Sequence, residues 1–183
     1  METRIYNINS IKDYKVFYYF NYYLNTFVNI TQIDLNTVFN KETEYALRGL
    51  VYIKLQNLSG RRPGTIEISQ EIDAPQFYTA KILQRLVRLG FVESQKGKGG
   101  GFYFDTEKTN LSLKDLILAT EGGKAIQGCG FGLKQCDENN PCPLHEKYAP
   151  IRDALNDLIT EVDIQSLAQK ILMGKDAVQT YLK

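Results

Sequence analysis

The sequence predicts a mainly α-helical protein with a small β-hairpin wing: a winged helix-turn-helix domain followed by a long helix with the pattern of a dimerisation helix. Three observations support this prediction. Apolar residues recur at helical spacing in successive segments between Asn40 and Leu89. A basic, glycine-rich turn then separates two strand-like segments within residues 90–104. Farther along, residues 144–162 carry apolar side chains at alternating steps of four and three.

Three helices are predicted in the first half of the chain. The first begins after Asn40, a suitable cap, and ends at Gly60. A second, short helix covers residues 65–72, and a third runs from Pro75 to about Leu89 because proline is tolerated in the first helical turn. Two short helices joined by a tight turn predict a helix-turn-helix. The third helix has an apolar inner stripe of Thr79, Ile82, Leu83, Leu86 and Leu89, and an outward face of Gln76, Lys81, Gln84, Arg85 and Arg88.

A β-hairpin is predicted directly after the third helix. Residues 90–94 and 102–104 are strand-like, and the turn between them contains Lys96, Lys98 and four glycines. A nucleotide-binding loop is excluded because these glycines lead into a strand and no Gly-Lys-Ser/Thr ending is present. A helix-turn-helix followed by a basic hairpin predicts a winged helix.

Positive charge is concentrated in this region. Lys and Arg number 22 and Asp and Glu 21, so the whole chain has no strong field for nucleic acid or anionic membranes. Residues 76–98 nevertheless carry +4, which leaves −3 for the remainder. The basic face of the third helix is by itself more typical of an ordinary solvated helix, but the hairpin that follows favours DNA binding. Gln76, Phe77, Tyr78 and Lys81 are expected in the major groove, and Lys96 and Lys98 at phosphates or the minor groove. The predicted DNA-binding residues are Gln76, Phe77, Tyr78, Lys81, Arg85, Lys96 and Lys98.

A further helix and then a heptad pattern follow the wing. Ser112 with Asp115 resembles a helix-capping arrangement, and Gly122-Gly123 ends that helix. The heptad pattern either packs on the chain's own domain or meets a second copy, and we favour the second copy. A homodimer suits palindromic double-stranded operator DNA, because paired recognition helices would lie one helical turn, about 34 Å, apart. The predicted dimerisation residues are Leu144, Tyr148, Ile151, Leu155, Leu158 and Val162.

Every cysteine of the chain and its only histidine lie within residues 129–145: Cys129, Cys136, Cys142 and His145. Four such donors are sufficient for a metal site. Structural zinc is the alternative, although zinc sites usually contain closely spaced cysteine pairs. Nucleophilic catalysis would need Cys142 with His145 as its base, and we expect no enzymatic activity. Because the loop is wide and polar, an iron-sulfur cluster fits better than buried cysteines or zinc.

These motifs resemble the winged-helix transcription regulator family that includes IscR, NsrR and CymR, in particular its iron-sulfur cluster-binding branch. The matching residues cover about 38–170: residues 44–48 in the first helix, Tyr78 and residues 81–83 in the third, residues 97–102 in the wing, residues 121–122, and the Cys/Cys/Cys/His loop. The resemblance implies a homodimer that binds operator DNA and senses redox state, nitric oxide or iron-sulfur status. A zinc-stabilised or metal-free DNA-binding repressor is the alternative.

The resemblance also implies a ligand set. Cys129, Cys136 and Cys142 correspond to the cluster cysteines, and His145 lies where the two-iron members have a histidine ligand, so [2Fe–2S] is favoured over [4Fe–4S]. Glu44 lies where some relatives supply a carboxylate, and it is the alternative fourth ligand. Zinc is the second choice of metal.

The chain divides into three predicted segments. Residues 38–110 form the DNA-binding domain, and residues 111–183 contain a helix, the cluster loop at 128–145 and the dimerisation helix. Residues 1–37 are an atypical aromatic- and Asn-rich extension with no counterpart in the family, which we expect to be upstream sequence read in frame before a start at Val38. Since no secretory signal or bilayer-spanning stretch is evident, we expect a cytoplasmic protein with no membrane role.

Overall fold

The computed structural model describes residues 38–134 and 137–174. In these residues no helix is long and apolar enough to span a bilayer. The secondary structure of the described ranges consists of α1 (Lys41–Leu58), α2 (Thr65–Glu71), α3 (Gln76–Arg88), β1 (Glu93–Gln95), β2 (Gly101–Tyr103), α4 (Leu113–Glu121), α5 (Lys124–Gln127), α6 (His145–Glu161) and α7 (Ile164–Met173).

Helix α1 begins and ends where its local sequence predicts. The Asn40 side chain accepts a hydrogen bond from the Thr43 backbone N–H at 2.9 Å and so caps one of the free donors of the first turn. Glu42 lies in that turn, where negative charge interacts favourably with the helix dipole. After Leu58 the chain turns at Gly60, whose φ of 73° is a conformation that glycine adopts without strain. The predicted first helix is therefore confirmed.

The hydrophobic core surrounds α1, which packs against α2, α3, α4 and α7. Burying each Leu or Ile side chain stabilises the fold by roughly 1.5–3 kcal/mol. Both halves of the described chain contribute to this core, so the helix-turn-helix and the C-terminal helices share it. Its fully buried members include Leu50, Ile53, Ile68, Ile72, Leu83, Leu86, Leu116, Ile117 and Ile164.

Helices α2 and α3 form the predicted helix-turn-helix. The turn between them contains Asp73 at a φ of 47°, and the Ala74 N–H donates to the Ser69 carbonyl at 2.9 Å. Helix α3 starts at Gln76, one residue later than predicted, so Pro75 is its N-cap residue and does not lie in the first turn. Four of the five predicted inner-stripe residues are buried. The prediction was wrong for Leu89, which follows the last helical residue and is 46% exposed.

The wing is a two-stranded antiparallel hairpin in which Ser94 pairs with Phe102. Its first strand begins three residues later than predicted, because Val92 is buried in the core before pairing starts at Glu93. Strand β2 also has a neighbour on its other side, since the Phe102 N–H donates to the Pro63 carbonyl at 3.0 Å. The wing is therefore joined to the turn that precedes α2.

The C-terminal helices contact the segment between β2 and α4. Ser112 caps α4 by accepting from the Asp115 N–H at 3.0 Å, as predicted. Helix α6 ends at Glu161, and a short bridge pairs Ser112 with Asp163 before α7 begins. Helix α7 then packs on α1. Neither α5 nor α7 was predicted as a separate helix, and the predicted heptad pattern extends one residue past α6 to Val162.

Candidate DNA-binding face and candidate metal centre

The start of α3 presents exposed side chains on its outer face. Gln76 and Lys81 are exposed, and Phe77 is exposed over 74% of its surface. The Lys81 Nζ lies 4.4 Å from the centroid of the Phe77 ring, one helical turn away. This contact places a cation over an aromatic face, a weakly stabilising arrangement that keeps both groups at the surface. The predicted face therefore combines charge with an apolar ring.

Tyr78 packs against α1 and is less exposed than Phe77. Its ring meets the Tyr45 ring edge-on at 5.9 Å, and the Arg48 guanidinium lies 5.2 Å from the Tyr45 centroid. Partial burial, with the charge of Glu42 and the nearby Tyr45, raises the pKa of the Tyr78 hydroxyl above its usual value. The shift further favours the protonated hydroxyl, which can donate a hydrogen bond.

Arg85 forms contacts inside the domain. Its Nη1 lies 2.6 Å from Glu42 Oε1, and its Nη2 donates to the Ala119 carbonyl. These contacts join α3 to α1 and α4, so the charge of Arg85 is partly neutralised beside the predicted DNA face. Sequence spacing placed this arginine on the outward side of α3 but could not reveal its partners.

The tip of the wing presents two exposed lysines. Lys96 and Lys98 are exposed, and Gly97 and Gly99 adopt φ values of 94° and 77°. At Gly100 an added Cβ would lie 2.2 Å from the Gln95 carbonyl oxygen, so the turn is too tight for a side chain there. The glycines therefore allow a compact turn that carries both lysines.

Two residues that the sequence did not single out hold the base of the wing. The Asn57 Nδ2 donates to the Phe102 carbonyl at 3.2 Å, and its Oδ1 accepts from the Phe104 N–H at 2.9 Å. The Arg62 guanidinium lies 4.2 Å from the Tyr103 ring centroid and donates to the Gln95 side chain. Neither residue belongs to a periodic pattern, so no local signal could have identified it.

In the cysteine loop, the Sγ atoms of Cys129 and Cys142 lie 3.6 Å apart. Both residues are half-buried and free of disulfides. Two thiolates that share a tetrahedral metal with bonds of about 2.3 Å would lie about 3.8 Å apart. The observed separation therefore fits two sulfur ligands of one metal atom.

Backbone N–H groups surround the Cys129 sulfur. Hydrogen bonds from Leu133 and Phe131, with smaller contributions from Cys142 and Gly132, outweigh the opposing effect of burial and lower the pKa of the Cys129 thiol below its usual value. This environment favours the thiolate, which is the form that binds metals. Hydrogen bonds to sulfur also adjust the potential of clusters held by such thiolates.

His145 and Cys142 lie together at the start of α6. The His145 N–H donates to the Cys142 carbonyl at 2.9 Å, and His145 is the first residue of the helix. The loop packs closely on the same helix, because a Cβ added to Gly130 would come within 2.7 Å of the Tyr148 ring. The predicted ligands Cys129, Cys142 and His145 are thus placed at one end of α6.

The remaining predicted ligands are only partly described. Cys136 lies outside the described residues. The Glu44 Oε2 pairs with Lys41 at 3.1 Å, whereas its Oε1 is buried and has no hydrogen-bond partner in residues 38–134 and 137–174. Within those ranges no group of three or more His, Cys, Asp and Glu side chains converges as a metal site would require. Two thiol donors therefore fit a metal centre, and the described residues alone do not complete it.

The heptad pattern on α6 divides between two environments. Leu144, Ile151 and Leu158, seven residues apart, are exposed over 45%, 66% and 53% of their surfaces. The other three predicted dimerisation residues, Tyr148, Leu155 and Val162, are half-buried, and Leu155 and Val162 pack against the chain's own core. One apolar stripe of α6 therefore faces solvent in the single chain, and the other is used internally.

Comparisons with known proteins agree with this architecture. The family model described as "Rrf2: Iron-dependent Transcriptional regulator" matches residues 39–170. The chain is 30% identical over 117 residues to the HTH-type transcriptional repressor NsrR of Streptomyces coelicolor, which covers 64% of this chain and 74% of the relative.

Two solved structures share the fold. CymR, the global cysteine regulator of B. subtilis, matches with a TM-score of 0.58 and 19% identity over 77% of this chain and 98% of CymR. T. potens IscR matches with a TM-score of 0.57 and 13% identity over 74% of this chain and 89% of IscR. The helix-turn-helix, its hairpin wing and the match over residues 39–170 together show that the chain belongs to the Rrf2 family of DNA-binding transcriptional regulators, and not to a family of enzymes.

Proposed function

We propose that this Rrf2-family regulator binds operator DNA as a homodimer and that an iron-sulfur cluster in the cysteine loop controls this binding. The observation that carries the proposal is the convergence of the Cys129 and Cys142 sulfurs at 3.6 Å beside the start of α6. When bound, such a cluster would supply a centre that oxidation or nitric oxide can alter. The regulator would thereby respond to redox state, nitric oxide or iron-sulfur supply in the cytoplasm.

The cluster would be held by Cys129, Cys136 and Cys142 with His145 as the fourth ligand. Three thiolates and one imidazole favour a [2Fe–2S] centre over [4Fe–4S]. Glu44 is the alternative fourth ligand, and its buried Oε1 without a hydrogen-bond partner in the described ranges supports a carboxylate that can accept a further interaction.

Zinc is the second candidate, because the same sulfur separation also fits two thiolates on one zinc ion. A zinc-stabilised or metal-free repressor of this fold would bind DNA without sensing. The two possibilities differ in colour and in response to oxidants, since zinc is colourless and not redox-active.

DNA contacts divide between α3 and the wing. Gln76, Phe77 and Tyr78 lie at the exposed start of α3, where side chains can reach base edges in the major groove. Lys96 and Lys98 on the tight wing turn would contact phosphates or the minor groove. Lys81 adds a charge on the same face, whereas Arg85 is already engaged with Glu42 and Ala119.

A second copy of the chain would cover the exposed stripe of α6. Leu144, Ile151 and Leu158 recur every seven residues, which is the spacing of a helix that packs against another helix. A two-fold axis along this stripe would relate two recognition helices and so match a palindromic operator.

Helix α6 connects the loop to the segment that follows the wing. Cys142 and His145 lie at its start, and its end leads into the bridge between Ser112 and Asp163, next to the segment that leaves β2. A shift of α6 on cluster loss would therefore reach the segment that follows the wing through the backbone hydrogen bonds of this bridge. The cluster would bind one arrangement of α6 more tightly than the other, so DNA affinity would change with cluster occupancy.

The DNA roles are tested by comparing Lys98→Ala and Gln76→Ala on operator and non-operator duplexes at several salt concentrations. We expect Lys98→Ala to weaken binding to both duplexes and to lower the salt slope by about 0.9. Gln76→Ala should mainly reduce the preference for operator. Lys170→Ala, an exposed lysine on α7, is the matched control and should behave like wild type. Identical effects of the first two changes would contradict these roles.

The control of binding is tested by measuring operator affinity of the cluster-loaded and the cluster-free protein under anoxic conditions. We expect the two affinities to differ by about tenfold, a coupling typical of allosteric regulators. Equal affinities would contradict cluster-dependent control while leaving DNA binding intact.

A further inference from the structure

The two described cysteines are placed for direct reaction with one another. Their sulfurs are 3.6 Å apart, and both residues lie in the loop between α5 and α6, outside any helix or strand. They are half-buried, so small oxidants can reach them. A disulfide would bring the sulfurs to about 2.05 Å, a change that rotation about the side-chain bonds can supply in an irregular loop.

We propose that the cluster-free chain forms an intramolecular disulfide between Cys129 and Cys142. With a peroxide as oxidant, the thiol of one cysteine attacks a peroxide oxygen and becomes a sulfenic acid, releasing the first water molecule. The second thiol then attacks that sulfur, forms the S–S bond and releases the second water. Two thiols are oxidised by two electrons, and the peroxide is reduced to water.

The loop favours this pair because separate contacts hold each cysteine, and the two sulfur atoms already lie next to each other. Cys142 is held at the start of α6, where its carbonyl accepts from the His145 N–H. Cys129 is held by a turn in which its carbonyl accepts from the Gly132 N–H at 2.8 Å. The packing of Gly130 on Tyr148 keeps this turn against α6.

The disulfide would have a regulatory consequence, and this part rests on the proposed function. Because a thiolate is the ligand form of cysteine, the bond would remove two of the three cysteine ligands at once. The oxidised chain could then take up no cluster until a thiol reductant restored both cysteines. Oxidation would therefore keep the regulator in its cluster-free form after the oxidant has disappeared, until the disulfide is reduced.

The experiment uses the full chain without cluster, treated with a small excess of hydrogen peroxide and then with an alkylating reagent for remaining thiols. Mass spectrometry of the intact chain and of its non-reduced peptides gives the connectivity. We expect the loss of two hydrogens, one alkylated thiol at Cys136, and a linked peptide pair containing Cys129 and Cys142. Cys136→Ser should form the same link at the same rate, whereas Cys129→Ser and Cys142→Ser should form any internal link about tenfold more slowly.

Links that mainly involve Cys136, links between two chains, or sulfinic acid at an unpaired Cys129 would each overturn the proposal. A second readout is cluster assembly from iron and sulfide, followed by visible absorption before and after reduction with dithiothreitol. Cluster absorption that develops only after reduction supports the proposal that the disulfide blocks cluster assembly. Absorption that develops equally in the oxidised chain overturns it. A disulfide in a chain that never takes up iron would refute the proposed function and leave the disulfide established.

Discussion

Ser112 and Asp163 face each other across an antiparallel bridge that joins the segment leaving the wing to the turn between α6 and α7. The Asp163 Oδ1 accepts from the Asn110 side chain at 2.9 Å and from the Ser166 N–H at 2.8 Å, which caps α7. One carboxylate thus bonds both to the residue that precedes the bridged segment and to the start of α7. The end of α6 is consequently fixed to the base of the DNA-binding domain.

Replacing Asp163 with Ala should destabilise the fold. The change removes the cap of α7 and the contact with Asn110, and losing an N-cap costs about 1 kcal/mol. Urea unfolding at pH 7 gives the free energy of unfolding. Asp157→Ala, at an exposed position on α6, is the control and should change this free energy by less than about 0.5 kcal/mol.

The effect of Asp163→Ala should depend on pH. Although burial acts to raise it, hydrogen bonds from Ser166, Asn110 and the Gln165 backbone hold the pKa of the Asp163 carboxyl below its usual value. A lowered folded-state pKa contributes stability above the unfolded value of about 3.9 and loses it as pH falls through the folded pKa. The stability gap between wild type and variant should therefore narrow in acid, and a gap that widens there would contradict this role.

Replacing Gly101 with Ala should displace the wing. An added Cβ would lie 2.2 Å from the Arg62 carbonyl oxygen, and the φ of 139° is strained for any side chain. We expect a loss of about 2 kcal/mol in the free energy of unfolding, together with weaker DNA binding. Thermal unfolding and a binding titration measure the two effects.

Gly64→Ala is the matched control for this change. Gly64 also lies beside the wing, but its φ is −87° and no atom lies within 4 Å of an added Cβ. Because Gly64 is the N-cap of α2, where Ala is less favourable than Gly, this variant should lose about 0.5–1 kcal/mol, less than Gly101→Ala, and should retain DNA binding. Equal losses in both glycine variants would show that the close approach of Gly101 to Arg62 does not matter.

Much of the fold follows from local signals in the sequence. Asn40 and Ser112 cap α1 and α4 as predicted, because each helix start depends on a side chain and a backbone N–H only three residues apart. The inner stripe of α3 follows from helical periodicity for the same reason. The cysteine loop could also be identified, since all its donors lie close together in the chain.

The remaining features depend on contacts between distant segments. Arg85 has the spacing of an outward residue, yet Glu42 and Ala119 meet it only after α1 and α4 pack beside α3. Asn57 likewise bonds to β2, more than forty residues away. The heptad spacing of α6 could not reveal which of its two stripes packs internally, because both stripes have the same period.

Lys81 and Arg85 should differ when each is replaced by Ala. Lys81→Ala should lower the salt slope of DNA binding by about 0.9, because an exposed cation at the DNA face releases one counterion. Arg85→Ala should instead reduce the free energy of unfolding by about 1 kcal/mol, through loss of its bonds to Glu42 and Ala119. Salt-dependent binding and urea unfolding of both variants test this. A larger salt-slope change in Arg85→Ala would assign it to DNA contact.

Replacing Ile151 with Glu should dissociate the proposed homodimer. Ile151 is the central member of the exposed α6 stripe, and a charge there would be buried without a partner in a helix pair. Sedimentation of wild type and variant measures the change in mass, and the far-ultraviolet spectrum should remain the same. Leu172→Glu, at an exposed apolar residue on α7, should leave the dimer intact. A dimer that survives Ile151→Glu would place the interface elsewhere.

The most direct test of cluster binding is an assay of iron and acid-labile sulfide, with a visible spectrum, on protein purified without oxygen. We expect a coloured protein with about two irons and two sulfides per chain. Cys129→Ser and Cys142→Ser should each abolish the colour, because the two sulfurs lie close enough to bind the same metal atom. Neither change should unfold the protein. A colourless wild-type protein without iron or sulfide under every growth condition, or one that contains only zinc, would contradict the account.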